Sequence, residues 1–187
     1  MNSPRPTRSA RGFTLIELMV VVALASVILT LAVPSFIGML AKKRLEGLAQ
    51  ELGTDLQYAR GEAVQRNADV GVVFGTGCYA IYVLGSTDAT DCTTLGTGAV
   101  ALKTVQLATT SGSAVSVGFT PTVSGAFIAF EPIRGMAANS AGADKSGLVN
   151  VTSSAGNWQL RAIVTRYGRM KTCSPNASVT GFSNDCT

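Results

Sequence analysis

The 187-residue sequence contains no histidine. That absence removes imidazole as a general acid, general base or metal ligand, and with it Ser-His and Cys-His nucleophile pairs. Charged residues are sparse, at 14% of the chain. The acids beyond the N-terminal third (Asp69, Asp88, Asp91, Glu131, Asp144 and Asp185) are scattered, with no cluster at metal-ligand spacing. No Gly-rich phosphate loop leads into a helix, and no serine or cysteine stands in a recognisable nucleophile setting. These absences argue against an enzyme and imply no cofactor and no metal. Structural and binding roles remain.

The four cysteines, Cys78, Cys92, Cys173 and Cys186, are too far apart for a zinc site built from close cysteine pairs. An even count reads as disulfides formed in an oxidising compartment. Three pairings are open. The sequence-local one, Cys78 with Cys92 and Cys173 with Cys186, closes two loops of similar length and is preferred; each bridge of that size stabilises by about 3 kcal/mol in the chain-entropy model.

One long apolar run is present. Phe13 to Val33 is 21 residues with a single charge, Glu17. As a helix it would be about 31 Å long, close to the hydrocarbon thickness of a bilayer. Three of the fifteen basic residues, Arg5, Arg8 and Arg11, precede it. Without them, 12 basic and 11 acidic residues leave +1 rather than +4, so overall charge is no argument for nucleic acid. A secretory signal could use Ala23-Leu24-Ala25 for cleavage, but Glu17 would sit inside its apolar core. A plain anchor fits the arginines, which would stay on the cytoplasmic side, and leaves Glu17 unexplained.

Both features fit a third reading. The stretch "RGFTLIEL" resembles the type III signal of type IV pilins and pseudopilins: a short basic leader ending in Gly, an aromatic residue, then Glu at the fifth mature position. The resemblance implies cleavage after Gly12 by a prepilin peptidase, methylation of the new amino terminus on Phe13, and an assembly role for Glu17 beside other pilins. It divides the chain into a leader (1–12), a transmembrane and filament-core helix (13–34), an amphipathic second half (35–67) and a globular domain (68–187). The globular domain would lie in the periplasm below a single inner-membrane span, and at the cell surface after assembly into a pilus.

Beyond Pro34, Leu45, Leu48, Leu52, Leu56, Ala59 and Ala63 recur at helical spacing and predict a buried face. Opposite lie Lys42, Lys43, Glu46, Gln50, Glu51, Asp55, Gln57 and Arg60, suited to solvent or to neighbouring subunits. The helix is expected to run from about Phe13 to about Asn67. From Val70 onward come seven β-prone runs: "VGVVF", "CYAIYVL", "VALKTVQL", "AVSVGF", "AFIAF", "GLVNVT" and "WQLRAIVTRY". Turn residues bound each, which argues for antiparallel sheet. Gly85–Gly98 and Gly135–Gly147 read as loops. The expected fold class is α+β: a long N-terminal pilin helix packed on a two-sheet antiparallel β domain.

Two segments narrow the resemblance. "LAQELGTDLQYARGEAVQRNADVGVVF" (Leu48–Phe74) is similar to the helix end and first strand of the GspH/FimT branch. "LRAIVTRYGRMKTC" (Leu160–Cys173) looks like that branch's last strand and the Gly-Arg-x-Arg element of FimT minor pilins, here Gly168-Arg169-Met170-Lys171. In FimT proteins the element is associated with DNA capture in natural transformation. The resemblance thus implies sequence-independent DNA binding through Arg166, Gly168, Arg169 and Lys171, with Arg161 as a further candidate. Lys171 departs from the pattern, and a point charge orients phosphate less well than an arginine fork. From Leu160 onward four basic residues face one acid, a local +3. On charge alone that is an ordinary solvated edge. Tyr167 could stack on a base, although an aromatic at a strand end is more often packing. A GspH-like pseudopilin of a type II secretion system would need no basic turn, and a pilus-priming subunit would need no ligand.

Overall fold

The computed structural model describes residues 12–75, 77–107, 115–121, 127–153 and 156–186; the side chains of 31–35, 37 and 115–121 lie outside the description. One helix, α1 (Leu15–Arg66), is followed by eight strands: β1 (Val70–Gly75), β2 (Cys78–Val83), β3 (Val100–Gln106), β4 (Val115–Pro121), β5 (Phe127–Phe130), β6 (Gly147–Ser153), β7 (Gln159–Val164) and β8 (Met170–Cys173). Residues up to Ile37 and residues from Gly38 onward form separate compact units. Most of the expected leader, 1–11, lies outside the described residues.

In the N-terminal unit the apolar side chains are exposed all round, from Leu15 at 75% to Ile28 at 65%. A helix apolar on every side is a core or membrane element, because no polar face is left to meet water. Among the described residues no helix is long and apolar enough to cross a membrane; the run continues through 31–35, whose side chains are outside the description.

In the second unit the fold is α+β, as the β-prone runs imply. The strands form two antiparallel four-stranded sheets, ordered β3-β2-β1-β5 and β4-β6-β7-β8. Helix residues Leu45, Ala49, Leu52, Leu56, Ala59 and Ala63 are at most 1% exposed. They share one core with Val70, Val72, Tyr79, Ile81 and Ile128 of the first sheet and Val149, Val151, Leu160, Ala162 and Val164 of the second. The buried stripe therefore centres on Ala49, and Leu48 packs only partly against it. Truncating a fully buried Leu such as Leu56 to Ala would cost about 2 to 5 kcal/mol. The helix ends at a left-handed residue, Asn67 (φ 50°), with the Ala68 amide bonded back to the Ala63 carbonyl, the C-terminal arrangement that satisfies otherwise unpaired carbonyls.

In the first sheet β1, β2 and β5 are buried on both faces, while edge strand β3 is largely exposed. Val73, Ala80, Tyr82, Phe127 and Ala129 form a second cluster with Ala89 and Cys92. The 85–98 loop provides this cover, pinned by the Cys78–Cys92 disulfide (Cα–Cα 6.1 Å). The Cys173–Cys186 bridge (Cα–Cα 5.5 Å) fastens the C-terminal segment to β8, and Val179 from that segment enters the main core. The two cysteines beside Asp91 are the only candidate metal cluster among the described residues, and the disulfide leaves them no thiolate to offer.

Two details differ from the sequence pattern. The last β-prone run, Trp158–Tyr167, holds one strand, β7, which stops at Val164 where the chain turns; a further strand that the pattern did not mark, β8, follows in antiparallel register from Val164↔Met170 to Arg161↔Cys173. Asp55, placed by helical spacing on the outer side, is buried. Its carboxylate accepts from the Tyr79 hydroxyl at 2.7 Å and from Lys103 Nζ at 2.7 Å. Lys103 reaches in from edge strand β3, with Glu51 at 3.9 Å. Burial, reinforced by the Asp55 bond, pushes the Tyr79 phenol far up, so it remains a donor.

This arrangement predicts asymmetric costs. Lys103→Met leaves the buried carboxylate with a hydroxyl alone and should lose about 2 kcal/mol, since an uncompensated buried charge is costly. Asp55→Asn keeps an acceptor for Tyr79 and leaves Lys103 to Glu51 and water, so it should lose about 1 kcal/mol less. Urea unfolding followed through the single Trp158 gives both numbers; equal or reversed losses would refute the assignment. Gly168, in the β7–β8 turn, has φ +70° and faces the Gly135 carbonyl oxygen, whereas Gly142 (φ +80°) faces open space. Gly142→Ala should therefore cost about 1 kcal/mol of backbone strain, and Gly168→Ala at least twice that.

Candidate functional site

Two groups of residues were singled out by the sequence. At the N-terminal one, Thr14 precedes the helix and its hydroxyl oxygen accepts the Glu17 amide at 3.3 Å. Thr14 is thus the N-cap and Glu17 the third helical residue, the Thr-x-x-Glu spacing of a capping box. The sequence signal was present in "TLIE". Phe13 lies outside the helix, exposed at 77%, so Phe13 and Glu17 are not two helical positions one turn apart. Gly12 has open space around it. Among the described residues no cation pairs with Glu17.

The second group sits on the β7–β8 hairpin. The Thr165 and Arg169 backbones pair (Thr165 N to Arg169 O, 2.9 Å), and the Gly168 amide donates to the Thr165 carbonyl at 2.8 Å. With Gly168 left-handed, this is a type I turn followed by a glycine bulge, a favoured three-residue hairpin connection. The glycine is there for the turn. It is buried, and a methyl group on it would overlap the Gly135 carbonyl oxygen.

The turn does not gather all four cations. Arg166 and Arg169 are exposed on it, and among the described residues neither guanidinium forms an ion pair. Arg166 nevertheless acts on Asp144: burial raises that carboxyl, but hydrogen bonds from Ser146 and then the Arg166 charge outweigh it, and the net shift is down. Lys171 is not in the loop. It lies in β8, paired in register with Ile163 on the side of the sheet that carries Arg161, and its ammonium is 3.3 Å from Asp185. Arg161 Nε donates to Asn150 Oδ1 at 2.9 Å.

Sequence reasoning missed Arg60, assigned to the outer helix face. Arg60 is half-buried, its Nη1 donates to the Gly168 carbonyl at 3.4 Å, and its Nε packs against Gly135. The helix thereby touches two left-handed glycines from separate turns. Together with Gln57, Gly61, Val64 and Arg169 it lines an open groove of about 540 Å³. Helical spacing offered no signal for it, since its partner lies 108 residues away. Arg134 was missed as well: it is exposed in the turn that ends at Gly135 and bonded to Glu131 Oε1 at 2.9 Å.

Comparison with known proteins follows the same lines. Residues 48–168 match the family model described as Type II transport protein GspH, and residues 7–33 match the prokaryotic N-terminal methylation motif. A pilin-like protein of Thermus thermophilus, PilA1, is 42% identical over 78 residues, which is 39% of this chain and 47% of that protein; the chain spans about half the length of this curated relative. The type IV minor pilin FimU of Pseudomonas aeruginosa shares the fold at 16% identity, with a TM-score of 0.51 over 72% of this chain and 94% of FimU. The minor pseudopilin EpsH of the Vibrio cholerae type 2 secretion system aligns at 15% identity and a TM-score of 0.47, over 70% of this chain and 97% of EpsH. The matched helix end, β domain and methylation motif together place the chain in the GspH family, within the GspH/FimT branch of the type IV pilin and pseudopilin superfamily.

Proposed function

We propose that this chain is a FimT-like minor type IV pilin that binds extracellular DNA and supports its uptake in natural transformation. A prepilin peptidase cuts after Gly12, Phe13 is methylated, and the apolar run 13–34 holds the subunit in the inner membrane until assembly with other pilins. Glu17 supplies the counter-charge to an amino terminus during that transfer, because a lone carboxylate among hydrocarbon is costly. No part of this role needs an active site.

The observation that carries the DNA reading is the pair of exposed arginines, Arg166 and Arg169, on a turn whose backbone is fixed by its own hydrogen bonds and by Arg60. Cations held on a rigid turn lose little freedom on meeting a phosphate backbone. The geometry ranks the candidates: Arg166 and Arg169 lead, Lys171 must be shared with Asp185, and Arg161 with Asn150. Gly168 contributes by shape. Contacts of this kind read charge, so binding is sequence-independent and weakens with salt.

A second reading has its own support. The GspH match ends at residue 168, before Arg169 and Lys171, so the family assignment stands without the last two cations. A pseudopilin of a type II secretion system would use the same fold with no DNA.

The deciding measurement is binding of the mature chain, in a non-ionic detergent, to a short duplex and to a single strand of the same length across a salt series. Binding should strengthen steeply toward low salt. An Arg169→Gln/Lys171→Gln variant should bind more weakly, with the log–log salt slope reduced by about 0.9 for each phosphate that is no longer neutralised. No binding at low salt, or a variant with unchanged affinity and slope, would leave the pseudopilin reading.

A further inference from the structure

The turn that carries the arginines also carries an aromatic side chain that packing does not explain. Tyr167 is 72% exposed, and Ile133, in the turn Glu131–Gly135, is 83% exposed. A single exposed apolar residue is ordinary. Here two stand on adjoining turns that are locked together: the Ala137 amide donates to the Arg166 carbonyl at 2.9 Å, Gly168 packs on Gly135, and Arg60 touches both glycines. Each apolar residue has an arginine as its chain neighbour, Arg134 beside Ile133 and Arg166 beside Tyr167. Both those arginines are exposed, as is Arg169.

Basic residues interleaved with an exposed aromatic suit a ligand that has phosphates and accessible ring faces at once. In a duplex the faces of the bases are stacked on one another and closed to a side chain. In unpaired DNA they are open, and every base has one, so stacking is tolerant of sequence. We propose that the paired turns form a base-contacting site for unpaired nucleotides, with Tyr167 stacking on a base, Ile133 covering its neighbour, and Arg134, Arg166 and Arg169 holding the flanking phosphates. This rests on the DNA reading above and names the form of DNA that the site takes.

The mature chain in non-ionic detergent is titrated with three probes: a 20-nucleotide thymidine strand, an abasic strand with the same number of phosphates, and a 20-base-pair duplex. The thymidine strand should bind about tenfold more tightly than the abasic strand at equal salt. Tyr167→Ala should remove about tenfold of thymidine-strand affinity, leaving abasic binding and the salt slope unchanged. Ile133→Ser should act in the same direction and more weakly. Arg169→Gln should weaken all three probes and lower the slope. Equal affinity for the thymidine and abasic strands, or a Tyr167→Ala chain that binds as the parent does, overturns the base-contacting site and leaves the two tips to a protein partner. Failure of all three probes to bind at low salt overturns the DNA reading itself. All three substituted side chains are exposed, so loss of fold does not confuse the outcome.

Discussion

One face of one helix organises the globular unit. Leu45, Ala49, Leu52, Leu56, Ala59 and Ala63 are closed off from solvent by residues of both sheets, and neither sheet has another helix, among the described residues, to cover its inner side. The mixture of Leu and Ala along that face matters as much as its apolarity. Small and large side chains on that face share one core with residues of both sheets, Val72 and Ala162 among them, as close packing requires. The registers of β6 and β7, whose buried residues alternate with partly exposed ones, fit the need to point one face at that core.

The margins of the same helix hold the polar connections. Asp55 reaches Tyr79 and Lys103 in the first sheet; Arg60, five residues on, reaches Gly168 at the tip of the second. Helical spacing puts both just off the Leu/Ala stripe, where a side chain can be desolvated if a partner is waiting. Hydrophobic burial fixes how deep the helix sits, and these two residues fix how it is rotated and where along its axis each sheet lies. Buried polar groups of this kind are costly unless satisfied, which makes alternative packings unfavourable.

What the sequence made legible and what it hid divide along physical lines. Period and composition carry information about one segment at a time, so the helix, the loops and the positions of the β-prone runs could be read directly. Asp55 and Arg60 could not, because a charge at a helix margin looks the same in sequence whether it meets water or a partner 48 residues away (Lys103) or 108 residues away (Gly168). Strand β8 was hidden by its own shortness and by Lys171 and Thr172, which have no apolar alternation to betray a strand. Its existence moves Lys171 out of the loop. A basic cluster in a linear sequence was split by the pleat: alternate residues of a strand face opposite ways, and the hairpin sends Lys171 to the side of Arg161 and Asp185 while Arg166 and Arg169 stay on the turn.

That split bears on how a charge this small could serve DNA. Without Arg5, Arg8 and Arg11 the chain carries a formal +1, so long-range attraction for a polyanion is weak and any such contact depends on local geometry. Two arginines on a turn held by Arg60 and by a glycine bulge are presented at fixed spacing, whereas the same residues on a floppy tail would lose that arrangement to conformational freedom. The Cys173–Cys186 bridge adds to this by fastening the segment that brings Asp185 to Lys171. An acid tethered there keeps Lys171 partly neutralised. A chain with so little net charge cannot rely on a summed surface field, and on a rigid turn position substitutes for number.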